Sequence, residues 1–177
     1  MTAPAFSTGS DELTTLVLAA QKGDRPAFDQ LYRSHARMVH GVLMARVPRS
    51  DVDDLVQDVF MLAMQRMSSL RTPEAFGGWL AAIARTRAID HLRRQKPTTE
   101  LVDDVPASDP DRSELMSVLA AIDRLPIAYR ETLILRFVEG MTGQEISLRT
   151  GLTEGSVRVN LHRGMKQLRE ELERGRP

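Results

Sequence analysis

Two helix-start signals stand eleven residues apart near the C-terminal end, with a glycine between them. In Thr142-Gly-Gln-Glu145 the threonine hydroxyl is placed to accept from the third amide of a new helix, and the glutamate to reach back to the threonine's own amide. Such a cap is worth about 1 kcal/mol. Thr150-Gly151 offers a residue that tolerates a left-handed turn, and Thr153 is placed to cap a longer helix bearing Val157, Leu161, Met165, Leu168 and Leu172 on one side. A short helix, a tight turn and a long helix make residues 142–168 a helix-turn-helix.

At 100° per residue, the other side of that long helix carries Arg158, His162, Arg163 and Lys166, with Val159 among them. A valine there has no core to fill, but contact with a thymine methyl gives it work, while Arg158 and Arg163 suit a guanine edge or a phosphate. A charge run alone more often marks a solvated helix face. The two caps and the glycine turn shift the expectation to DNA binding.

The rest of the chain is helical in pattern too. Of 177 residues 42% are hydrophobic but only 5% aromatic, which favours packed helices over a sheet, so an all-α fold is expected. The absence of cysteine excludes disulfides, thiolate zinc sites and cysteine nucleophiles. No apolar run approaches the roughly 20 residues of a membrane span, and the first ten residues lack the marks of a signal peptide. A cytoplasmic protein with no membrane insertion of its own is expected.

Residues 1–9 read as a flexible tail. Residues 10–96 carry four helical segments. Asp24 and Pro26 open the second, whose apolar face runs from Phe28 to Val42; Ser50 with Asp53 makes a capping pattern for the third. In the fourth, Ala84, Ala88, Ile89 and Leu92 are expected on the inner side and Arg85, Arg87, Asp90, Arg93 and Arg94 on the outer. Residues 97–112, with Pro97, Pro106 and Pro110 among acids, form an acidic linker. Residues 113–175 are then a second small helical domain, with Leu115, Val118, Leu119 and Ile122 facing inward, Pro126 opening a helix with Leu133, Ile134 and Phe137, and Gly140 ending it. Lysine plus arginine and aspartate plus glutamate number 24 each, but the two signs are segregated, and a net charge of zero hides separate basic and acidic surfaces.

Five stretches occur in a telling order: Asp53-Asp-Leu-Val-Gln-Asp-Val-Phe60, Trp79 through Arg94, Leu125-Pro126, Leu135-Arg136-Phe137, and Gly155-Ser-Val-Arg-Val-Asn-Leu-His-Arg163. Over residues 13–172 the chain resembles the extracytoplasmic-function (ECF) group of bacterial RNA polymerase sigma factors, in the sigma-70 family. The resemblance implies that residues 10–96 are sigma domain 2, which docks on core RNA polymerase and recognises and melts the minus-ten element, and that residues 113–175 are sigma domain 4, which reads the minus-thirty-five element. Asp54, Gln57 and Asp58 would touch the polymerase. Arg85, Thr86, Arg87, Asp90, Arg93 and Arg94 would serve minus-ten binding and melting, with Thr86 standing where the family commonly has asparagine. Ser156, Arg158, Val159, His162, Arg163 and Lys166 would meet the upstream element. Trp79 is placed in the core rather than as a stacking platform. The linker would thread toward the polymerase active centre, although a plain spacer explains its prolines equally well.

The implied partners are core RNA polymerase, promoter DNA and an inhibitory anti-sigma factor. No cofactor, metal or enzymatic activity is expected: His35 and His40 lack metal-site spacing, His91 and His162 stand apart, and neither a phosphate loop nor a serine elbow is present. The alternative is a stand-alone helix-turn-helix regulator, dimeric through its N-terminal helices; an adaptor that titrates an anti-sigma factor is a third reading, weakened by the intact basic faces.

Overall fold

The computed structural model describes residues 8–95 and 110–174, and no strand occurs among them. The expected tail up to residue 7 and the linker up to residue 109 lie outside the described residues. The first domain consists of α1 (Thr8–Gln21), α2 (Arg25–Met44), α3 (Val52–Arg66) and α4 (Phe76–Arg94). The second consists of α5 (Pro110–Asp123), α6 (Ile127–Leu133), a π-helical turn Ile134–Val138, α7 (Gly143–Thr150) and α8 (Glu154–Arg174).

Local chemistry explains most boundaries. Gly23 takes φ +91° after α1, and the Asp24 carboxylate accepts from the Ala27 amide at 3.1 Å to start α2. The expected capping box at Ser50 and Asp53 does not form. A 3-10 turn, Arg49–Asp51, leads into α3 instead, and Ser50 spends its hydroxyl on the Asp51 carboxylate. The core of the first domain gathers Leu31, Met38 and Val42 of α2, Val59 of α3, and Phe76, Leu80 and Ala84 of α4. Gln21 ties α1 to the α3–α4 connection through the carbonyls of Met67 and Leu70.

In α4 the apolar face is rotated from the expected one. Ile89 and Leu92 are exposed, while Leu80, Ala81 and Ile83 join Ala84 and Ala88 inside. The pattern was ambiguous because four alanines and two glycines leave the helix with little amphipathic contrast. Leu115, Phe137 and Met165 are likewise exposed rather than buried. For Phe137 the cause is the π turn: one extra residue in the ring of hydrogen bonds rotates the chain, turns Phe137 outward and sends Leu135 inward.

Leu135 enters the core of the first domain, as do Met141 and Ile146. It passes Gly41 of α2 so closely that a Cβ there would lie 2.7 Å from Leu135 Cδ2. Fully burying a leucine or isoleucine is worth about 1.5–3 kcal/mol, more than an exposed ion pair, so apolar contact dominates the junction. Around it, His40 Nδ1 lies 2.6 Å from Glu139 Oε1, Arg130 donates to the Ala45 carbonyl at the end of α2, and Arg149 donates to the Ser34 carbonyl.

His35 sits in this core, edge-on to Phe76 with ring centroids 5.0 Å apart, its Nδ1 3.0 Å from the Leu31 carbonyl. Burial, aided by the nearby Arg149 charge, lowers its pKa from 6.5 to about 4. The unfolded chain therefore takes up this proton first as pH falls. Stability contributed by the neutral ring is full above pH 6.5 and declines from there toward pH 4, by roughly 3 kcal/mol in all. Denaturant unfolding at about pH 7 and about pH 5 should show roughly half of this loss in the wild type and less in His35→Gln. Parallel behaviour of the two would mean that the ring is not held neutral.

Candidate nucleic-acid interface

The helix-turn-helix forms through the signals read in the sequence. Glu145 N donates to Thr142 Oγ1 at 3.2 Å and Thr142 N donates to Glu145 Oε2 at 2.8 Å, closing both halves of the capping box. Those hydrogen bonds hold the Glu145 carboxyl below its ordinary pKa. Gly151 turns the chain at φ +75°, and Ser156 N donates to Thr153 Oγ1 at 3.1 Å to start α8. Val157 and Leu168 of α8 are buried, and Gly164 lets α8 approach α6 so closely that a Cβ would lie 3.1 Å from Tyr129 Cβ.

On the opposite side of α8, Ser156, Arg158, Val159, His162, Arg163 and Lys166 are all exposed. Val159 is 44% exposed among these polar neighbours. Its inner stripe packed and its outer face basic and open, α8 has the form of the helices that enter a major groove.

In the first domain the expected residues divide. Thr86, Arg93 and Arg94 are exposed, and Asp90 is paired with Arg93. The expected outward arc fails at Arg85 and Arg87, which are engaged in ion pairs. Arg87 Nη2 reaches Asp58 Oδ2 at 2.5 Å, and Arg85 Nη2 reaches Glu131 Oε1 of the second domain at 2.7 Å. Asp58 is thereby half withdrawn, whereas Asp54 and Gln57 lie open on α3. Met61 and Met64, both 56% exposed, continue the stripe of Asp54 and Gln57 at helical spacing. Their 3-4-3 spacing was the missed signal. Asp51, also unanticipated, lies 2.8 Å from His91 Nε2 and accepts from Gln95, and these hydrogen bonds keep its carboxyl below the usual range.

The α3–α4 connection forms one wall of a groove of about 480 Å³, with Ser69, Arg71, Thr72 and Trp79 on one side and Leu148 and Gly151 of the helix-turn-helix on the other. Trp79 leans on Phe76 and packs against the core, and is partly buried. Among the described residues no group of three His, Asp or Glu is placed to hold a metal, and no helix is long and apolar enough to cross a membrane.

A helix-turn-helix joined to a second helical domain defines a DNA-binding protein of bipartite build. Comparison with known proteins narrows the class. The family pattern described as Sigma-70 region 2 matches residues 31–98, and that described as Sigma-70, region 4 matches residues 115–168. The ECF RNA polymerase sigma factor SigE of Mycolicibacterium smegmatis is 32% identical over 180 residues, covering 92% of this chain and 69% of the relative. The ECF RNA polymerase sigma factor SigM of Mycobacterium tuberculosis is 33% identical over 159 residues, 86% of this chain and 81% of the relative. The solved structure of CnrH in complex with the cytosolic domain of CnrY superposes with a TM-score of 0.65 at 26% identity, covering 93% of this chain and 99% of that one. The chain belongs to the ECF sigma factors of RNA polymerase.

The groove closes through a glycine contact that can be tested. A Cβ on Gly77 would lie 2.8 Å from the Arg149 carbonyl oxygen, and Gly78 and Gly151 meet backbone to backbone. In an unencumbered helix, glycine to alanine stabilises by about 1 kcal/mol. Here the methyl meets backbone, so Gly77→Ala should part the two domains and raise the radius of gyration in small-angle scattering. An unchanged radius with a higher melting temperature would show that the domains do not touch in solution.

Proposed function

We propose that this chain works in the cytoplasm as a promoter-specificity subunit with no catalytic activity of its own. It joins core RNA polymerase through the exposed stripe of α3, with Asp54, Gln57 and Asp58 as polar contacts and Met61 and Met64 as apolar ones. The second domain (residues 113–175) reads the upstream element through Ser156, Arg158, Val159, His162, Arg163 and Lys166. The first domain (residues 10–96) recognises and melts the minus-ten element through Arg85, Thr86, Arg87, Asp90, Arg93 and Arg94.

The observation that carries this reading is the exposed basic face of α8 on a chain whose other half matches sigma region 2. A stand-alone regulator has no use for that half. Anti-sigma control is supported by the likeness to CnrH, solved with the cytosolic domain of CnrY. In that state a partner would hold the domains together until a signal frees them.

Purified core polymerase with this chain should give promoter-specific run-off products from a genomic fragment library; no such product from any fragment overturns the reading. At the promoter so found, Arg158→Ala or Arg163→Ala should weaken upstream recognition by about 1–3 kcal/mol while core binding is kept. Equal loss on a scrambled upstream sequence reduces that arginine to a phosphate contact. Val159→Ser should alter preference at one thymine position, and an unchanged profile removes Val159 as a reader.

A further inference from the structure

Glu131 is a buried, doubly paired side chain that this function does not use. It belongs to α6 of the second domain and is 4% exposed, yet both cations that hold it belong to the first. Arg46 Nη1 lies 2.5 Å from Glu131 Oε2, and Arg85 Nη2 lies 2.7 Å from Oε1, with Arg85 Nε 3.3 Å from Oε2. Arg46 is fixed within its own domain, since its Nη1 also donates to the Val42 carbonyl at 3.0 Å. The first domain thus holds two guanidinium groups together around one anion that it does not supply.

Two like charges at such proximity need an anion between them. Burial pushes the pKa of Arg46 down, Glu131 opposes this, and Arg85 and Arg130 add to it. An arginine stays ionised in a protein, so the requirement is met by a counter-charge and not by loss of a proton. To a guanidinium fork, a carboxylate and a phosphodiester offer the same thing: two anionic oxygens at matching spacing.

We propose that Arg46 and Arg85 form a phosphodiester clamp on the first domain, filled by Glu131 while the domains are closed and by a backbone phosphate of the melted promoter strand once they part. Glu131 leaves with α6, and among the described residues no carboxylate of the first domain pairs with either arginine in the closed form. The groove that ends on Leu148 and Gly151 opens in the same movement, so strand and phosphate reach the first domain together. The free chain is thereby kept from gripping single strands until the domains separate. The source of the strand rests on the promoter-melting role proposed above.

The test uses the full chain, a fluorescent single-stranded oligonucleotide of mixed sequence, and the holoenzyme. Glu131→Gln should bind the oligonucleotide roughly tenfold more tightly than the wild type, with a salt dependence steeper by about 0.7 for each guanidinium released. Adding Arg46→Gln should take back one such increment. Because Glu131→Gln leaves two cations facing each other, the paired variant Arg46→Gln with Glu131→Gln also serves as the folded control. In the holoenzyme that pair should open the promoter about tenfold more slowly by permanganate footprinting, since one phosphate contact is gone, and Arg46→Lys with Glu131→Gln should recover part of the rate. If Arg46 serves only to satisfy Glu131, the pair opens promoters at the wild-type rate and the free chain gains no affinity, which overturns the clamp. Wild-type run-off is recorded alongside: its absence defeats the sigma reading, and its presence with unaffected variants defeats the clamp alone.

Discussion

A carboxylate taken out of water costs several kcal/mol unless opposite charge meets it at hydrogen-bond distance, and Glu131 is almost wholly withdrawn. That requirement fixes α6 over the end of α2 and the middle of α4, because only there do Arg46 and Arg85 converge. Once α6 is so placed, the π turn after it delivers Leu135 onto Gly41, and α7 comes to rest against the glycines that begin α4. The polar network sets the register and the buried leucine, methionine and isoleucine supply most of the attraction. Each depends on the other, since a shift by one helical turn would strand the carboxylate.

This closed arrangement treats the two proposed DNA-binding regions differently. The basic face of α8 remains open. In the first domain Arg85 is paired across the junction, Arg87 is paired with Asp58, and the groove beside the α3–α4 connection ends against the turn of the helix-turn-helix. Domain separation therefore changes what the first domain offers far more than what the second offers. Asp58 links the two proposed surfaces, because the carboxylate that would face polymerase is the one that now holds Arg87.

Features legible in the sequence share one property: the interacting groups lie within four residues of each other. The Asp24 cap, the Thr142–Glu145 capping box, the Gly151 turn and the Thr153 cap were all readable for that reason, and they led to the helix-turn-helix and its outer face. Periodicity failed where the amphipathic contrast was weak, as in α4, and where the helical repeat itself changed, as at Leu135 and Phe137.

The sequence by itself determined an all-helical chain, its two domains, the helix-turn-helix and, through the order of five short stretches, the family. Backbone hydrogen bonding and capping are local, so their partners are written side by side. Only the tertiary structure decided that Glu131 joins Arg46 and Arg85, that Leu135 belongs to the core of the other domain, and that Arg85 is half-buried and paired instead of open. Those contacts pair residues 46 to 94 positions apart, and whether two such groups meet depends on how whole helices pack, which no spacing rule contains.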